Sequence, residues 1–135
     1  MATQRKAEVV WKGNLLEGSG TIVAATSDAL PPLAVSWPSR AEEPAGKTSP
    51  EELLAAAHAS DFAMQFTSGL VGAGWEPEEM HVSCTVTFEG RLGIIESALT
   101  ARVTVPGPTD DQIYELADRA KITWGRSRGR SRAST

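Results

Sequence analysis

Apolar positions recur along this chain in two different periods, and the changes of period mark its elements. Val82, Cys84, Val86 and Phe88 alternate with polar neighbours over residues 81–88, the pattern of a strand with one buried face. Residues 94–105 continue as a second long strand, with Glu89-Gly90-Arg91-Leu92-Gly93 as the turn between them. Nearer the start, residues 8–11 and 20–25 are apolar and strand-like. The turn signals Gly13-Asn14 and Gly18-Ser19-Gly20 make them a hairpin. Residues 33–37 form a further short strand between Pro31-Pro32 and Pro38.

The helical period takes over after a polar loop that begins at Ser39. Ser49 is a good N-cap, Pro50 suits the first helical position, and Glu52 completes a capping box. The helix runs to about residue 71, where Gly72 and Gly74 stop it. A shorter helix follows the break at Pro106-Gly107-Pro108. Thr109 caps it, and over residues 110–122 it carries Ile113, Leu116, Ala117 and Ala120 on one face. The order of strands, long helix, hairpin and helix predicts an α+β fold with antiparallel sheet, one domain over residues 1–122 and no internal repeat.

The long helix holds the chemistry. On a wheel of ~100° per residue, Glu51, His58, Asp61 and Gln65 fall within roughly 80° of one another. The rest of the circumference is mostly apolar or small, with Ala56, Ser60, Ala63 and Thr67 on a side narrow enough for close packing against another helix or its own copy. A helix with so little solvated face belongs in the middle of a fold. A lone carboxylate there costs several kcal/mol unless it is paired or protonated. Asp61 therefore calls for a partner, either His58 one turn away or a cation such as Arg40 in the loop before the helix. Such a pair is either a structural ion pair or the lining of a reactive site.

Composition narrows the classes. At 135 residues and a formal charge of −4, the chain gives no whole-molecule reason to expect nucleic acid or membrane binding. It has no apolar run long enough for a transmembrane helix, and the opening MATQRKAEVVWKG has no apolar leader, so a cytoplasmic protein is the default expectation. One cysteine, Cys84, excludes a disulfide within these residues and a cysteine-rich metal site. It reads most simply as a small core residue. The end, GRSRGRSRAST, carries four arginines and no acid. Residues 123–135 are expected to be a basic, solvated, disordered tail rather than a nucleic-acid arm.

These motifs carry a resemblance. TSPEELLAAAHASDFAM is similar to the signature helix of the OsmC/Ohr family, osmotically inducible protein C and organic hydroperoxide resistance protein. VVWKGNLLEGSGTI resembles the family's opening hairpin, SRAEEPAGKTSPEEL its entry to the helix, and ALTARVTVPGPTDDQIYELADRAK its last strand, turn and helix. The resemblance implies an intertwined homodimer, with sheets wrapped around two central helices. It also implies a chemistry without a cofactor: a cysteine thiolate on the signature helix reduces an organic hydroperoxide and becomes a sulfenic acid, which a second cysteine resolves as a disulfide. An arginine and a glutamate activate the first thiolate, and here Arg40 and Glu51 take those places.

Two departures stand out against that pattern. Asp61 occupies the place of the peroxidatic cysteine and Trp124 that of the resolving cysteine. A carboxylate oxygen is a poor nucleophile toward peroxide oxygen, so a stress-response protein without peroxidase turnover is expected. The alternative is a binding module that holds a small hydrophobic peroxide or other ligand with Arg40 and Asp61, helped by His58 and Gln65. An acid–base enzyme built on His58, Asp61 and Glu51 has a weaker signal, and two or three possible ligands on one helix do not make a metal site. Codons freely chosen for the tail, read one frame over, encode Pro-Val-Ser-Arg-Ala-Leu, similar to the family's continuation. A frameshifted end that lacks the family's terminal strand is the corresponding expectation.

Overall fold

The computed structural model describes residues 2–122 and, as backbone, residues 131–134. They group into two compact units, Met1–Leu53 and Leu54–Thr135, with the boundary inside the long helix.

In the first unit, β1 (Ala7–Lys12), β2 (Ser19–Ala25) and β3 (Leu33–Val35) form an antiparallel sheet in that order. The hairpin turn is built by Asn14, whose carbonyl accepts from Gly18 N–H at 3.0 Å and whose Oδ1 accepts from Glu17 N–H at 2.7 Å. Gly20 is needed for close approach: a Cβ there would lie 2.7 Å from the Trp11 ring and 2.9 Å from Val35 Cγ2. The third strand ends earlier than its apolar run. Ser36 caps a short helix, α1 (Trp37–Ala41), in a reciprocal box with Ser39, so Trp37 belongs to a helix and the loop expected there is partly helical. Local side-chain bonding to the backbone outweighs the strand propensity of Trp37 here.

The long helix, α2 (Pro50–Gly72), begins as expected. Glu52 N–H donates to Ser49 Oγ at 3.1 Å, while the Glu52 carboxylate accepts from the Thr48 hydroxyl at 2.8 Å. Gly74, at φ +95°, supplies the left-handed backbone just past its end.

In the second unit, β4 (Glu79–Glu89) and β5 (Gly93–Thr104) pair antiparallel from Glu79↔Thr104 to Glu89↔Gly93, with a bulge at Thr87/Phe88. The β4 face of Met80, Val82, Cys84, Val86 and Phe88 is half-buried, as the alternation predicts. Thr109 and Gln112 exchange reciprocal bonds at the start of α3 (Asp110–Ile122). Phe62, Phe66 and Leu70 of α2 form the core with Leu99 and Ala101 of β5 and Ala117 and Ala120 of α3. The spacing of four residues along α2 keeps these side chains on one face, and the two phenylalanine rings meet at 5.5 Å.

One expectation is corrected. A terminal strand is present: β6 (Ser131–Ser134) pairs parallel with β5, from Ser97↔Ser131 to Thr100↔Ser134. Disorder therefore does not extend over residues 131–134, because a strand edge recruits a neighbour through backbone groups whatever its side-chain pattern. Residues 123–130 and 135 of the expected tail lie outside the described residues. Within one chain α2 leaves its small-residue side uncovered. Ala56, Ser60 and Met64 are exposed, Met64 at 69%.

Candidate functional site

The candidate residues fall into two groups, one at the start of α2 and one farther along it. The first belongs to the first unit. Arg40, in α1, directs both Nε and Nη2 at Glu51 Oε1, each at 2.8 Å. Glu51 is 6% exposed. Its carboxylate lies in the first turn of α2, where the helix dipole favours negative charge. Glu51 Oε2 is buried with no hydrogen-bond partner among the described residues. The guanidinium carbon lies 5.8 Å from the centroid of the Trp37 ring, so short α1 presents a cation and an aromatic face beside the Glu51 carboxylate. The same unit carries an open hollow of about 600 Å³, lined by Val9, Trp11, Leu15, Ile22 and Leu53 with Arg40 among them. A largely apolar hollow with one guanidinium suits a small organic molecule that carries an oxygen acceptor.

The second group belongs to the second unit. His58 is buried, at 1% exposure. Its Nδ1 lies 2.6 Å from Ser97 Oγ on β5 and 3.7 Å from Cys84 Sγ on β4. Ser97 Oγ and Cys84 Sγ are 3.2 Å apart. Burial pushes the His58 imidazole below its ordinary titration value, and the charge of Asp61, three residues along the helix, pulls it partly back. Asp61 Oδ2 is buried with no hydrogen-bond partner among the described residues.

Gln65 is exposed and lines a separate hollow with Ser68, Leu116 and Arg119. Trp124 lies outside the described residues. Among the described residues no three His, Cys, Asp or Glu side chains are grouped to hold a metal ion. No helix among them is long and apolar enough to cross a membrane.

Ser97 and the role of Cys84 were not legible in the sequence alone. Cys84 pairs with Leu99 in the hairpin register, so Ser97 is its diagonal neighbour. A serine two residues before Leu99, and so on the core face of a strand, was the available signal.

Comparison with known proteins identifies the family. Residues 43–125 match the family described as OsmC-like protein. The chain is 33% identical over 124 residues to peroxiredoxin OsmC of Escherichia coli K12, covering 90% of this chain and 85% of that one. It matches peroxiredoxin OsmC of Shigella flexneri to the same extent. Among solved structures, an OsmC-like protein of unknown function from Vibrio cholerae superposes with a TM-score of 0.70 at 17% identity, over 98% of this chain and 99% of that one. An organic hydroperoxide resistance protein OsmC from Legionella pneumophila gives 0.63 at 19% identity, over 96% and 97%.

Proposed function

Because the chain belongs to the OsmC family, we propose that it is a hydroperoxide-resistance-type protein whose two-cysteine peroxidase cycle is interrupted at residue 61. The observation that carries this is a site intact in one part and altered in another. The Arg40–Glu51 pair is fully formed, while Asp61 stands where the resemblance calls for the attacking thiolate. Trp124 stands where it calls for the resolving one. In this reading the Arg40–Glu51 pair is what remains of the machinery that activates a thiolate at residue 61, and Glu51 holds Arg40 in place.

The same reading makes the active form a homodimer. The small-residue face of α2 that includes Ala56 and Ser60 is exposed in one chain, and a second copy covers it. A stable monomer in light scattering at micromolar concentration would remove that part of the proposal. The hollow beside Arg40 supports a second reading, in which the chain binds a small hydrophobic peroxide or its alcohol without turning it over.

The deciding experiment compares Cys84→Ser with Asp61→Cys/Cys84→Ser and with the same pair carrying Arg40→Ala. With cumene hydroperoxide and dithiothreitol, Cys84→Ser is expected to stay at the buffer blank. In the second variant, mass spectrometry after limited peroxide is expected to find residue 61 oxidised faster than an exposed cysteine, and removal of Arg40 to slow it. Turnover by Cys84→Ser, or a residue 61 indifferent to Arg40, overturns the proposal.

A further inference from the structure

The remaining thiol is not solitary. Cys84 Sγ, Ser97 Oγ and His58 Nδ1 form a chain of contacts at 3.2 and 2.6 Å, drawn from three elements of the second unit. Beside it, Asp61 Oδ2 is buried with no hydrogen bond among the described residues, and its charge acts on the His58 ring. Nucleophile and base are therefore linked through a hydroxyl, in the order that activates a weak acid for attack, and Asp61 reaches the base through its charge alone. Cys84 is half-buried and packs against the core cluster, so the reaction calls for a peroxide small enough to enter beside it.

We propose that Cys84 is a peroxide-reactive thiol: His58 takes its proton through Ser97, and Asp61 supplies the counter-charge of the imidazolium so formed. The proposal rests on the family reading only for the class of oxidant, an organic hydroperoxide. The Cys84 S–H passes its proton to Ser97 Oγ as the Ser97 hydroxyl passes its own to His58 Nδ1. The thiolate then attacks the distal peroxide oxygen. The S–O bond forms, the O–O bond breaks, and the departing alkoxide takes back the proton held on His58. Sulfur loses two electrons and the peroxide gains them, and the products are Cys84 sulfenic acid and an alcohol. The 135 residues hold no second cysteine, so no internal disulfide follows and the reaction consumes one peroxide per chain. The aspartate at residue 61 thereby acquires a role. A carboxylate that is a poor nucleophile itself favours the charged form of the neighbouring base, and the nucleophile sits on the adjacent strand.

The test uses the wild-type chain, Ser97→Ala, Ser97→Thr and Asp61→Asn, with circular dichroism to confirm that each is folded. Each is given limiting cumene hydroperoxide and then dimedone, and the adduct at residue 84 is followed by mass spectrometry. Labelling of Cys84 in folded wild type is expected to outpace labelling of the same chain unfolded in urea. Ser97→Ala and Asp61→Asn are each expected to slow it at least about tenfold, a small share of what acid–base assistance supplies, and Ser97→Thr to recover most of the rate. Restoration by threonine separates proton relay from packing. If folded wild type labels no faster than the unfolded chain, or if neither Ser97→Ala nor Asp61→Asn changes the rate, the proposal fails. None of these variants alters Arg40 or Glu51, and the variants that test the family position lack Cys84, so either idea falls without the other.

Discussion

Two carboxylates of α2, Glu51 and Asp61, sit ten residues apart on one polar stripe and live in opposite circumstances. Glu51 is buried at the helix start with two arginine nitrogens on one of its oxygens. Asp61 has a buried oxygen that nothing described hydrogen-bonds, and its charge acts on an imidazole that burial holds toward the neutral form. A buried charge with a fixed partner belongs to the structure, and removing the partner strands it. A half-buried charge with one oxygen left unbonded is a cost that the rest of the fold carries, and its removal relieves the fold.

The largest expected effect follows from the first half of that contrast. Arg40→Ala leaves the Glu51 carboxylate buried and uncompensated. The loss should be about 3 kcal/mol, at the low end for a buried pair because Arg40 itself is partly exposed. Urea denaturation measures it. Adding Glu51→Gln to Arg40→Ala should return part of the loss, since the stranded charge is then gone. If Arg40→Ala is neutral, Glu51 is not held by this pair and the contrast dissolves.

At Asp61 the sign reverses. Asp61→Ala deletes an unsatisfied acceptor and places the best helix former inside a helix, so stability should rise by about 1 kcal/mol. Glu51→Ala should lower it. Opposite shifts of the two denaturation midpoints would sharpen the comparison, and a loss in both would show that Asp61 has a stabilising partner. If Asp61 also assists Cys84, the more stable variant is the less peroxide-reactive one, a trade common where function needs a strained group.

How much of this could be read in the sequence depended on whether the signal was local. The period-two runs of β4 and β5, and the caps at Ser49 and Thr109, are fixed by near neighbours and were legible. Helix α1 was not, because Ser36 and Ser39 build its cap within a stretch whose prolines and tryptophan suggest the end of a strand. Strand β6 was not, because its alternation of serine and arginine offers no apolar face and pairing is decided by the edge of β5. Within the site, Glu51 came from the helical wheel and Arg40 from its place before the helix, as a cation for Asp61; the resemblance gave the two a joint role, and the structure pairs Arg40 with Glu51. The contact of His58 with Ser97 spans 39 residues and depends on hairpin register, which no spacing along the chain reveals.

The smallest expected effect concerns acid. Folding lowers the titration value of His58 from its ordinary 6.5, chiefly through burial. As pH falls through that ordinary value, the unfolded chain takes up a proton that the folded chain refuses. Stability rises with pH wherever the unfolded state binds more protons. His58 therefore contributes nothing to the slope well above 6.5, costs stability as pH falls below it, and stops adding to the loss once the folded value is passed. Asp61 limits the loss, because its charge raises the folded value toward the unfolded one. In Asp61→Asn that support is gone, so the His58 part of the loss should extend to lower pH than in wild type. In His58→Gln it should vanish, leaving a flatter profile just below 6.5. Urea midpoints for the three chains, taken at close pH intervals through this window, make the comparison. Parallel profiles for wild type and His58→Gln would mean that the imidazole titrates alike in folded and unfolded chains. The buried cluster of His58, Ser97 and Cys84 would then be wetter than its geometry implies, and Asp61 would have no counter-charge role to play in it.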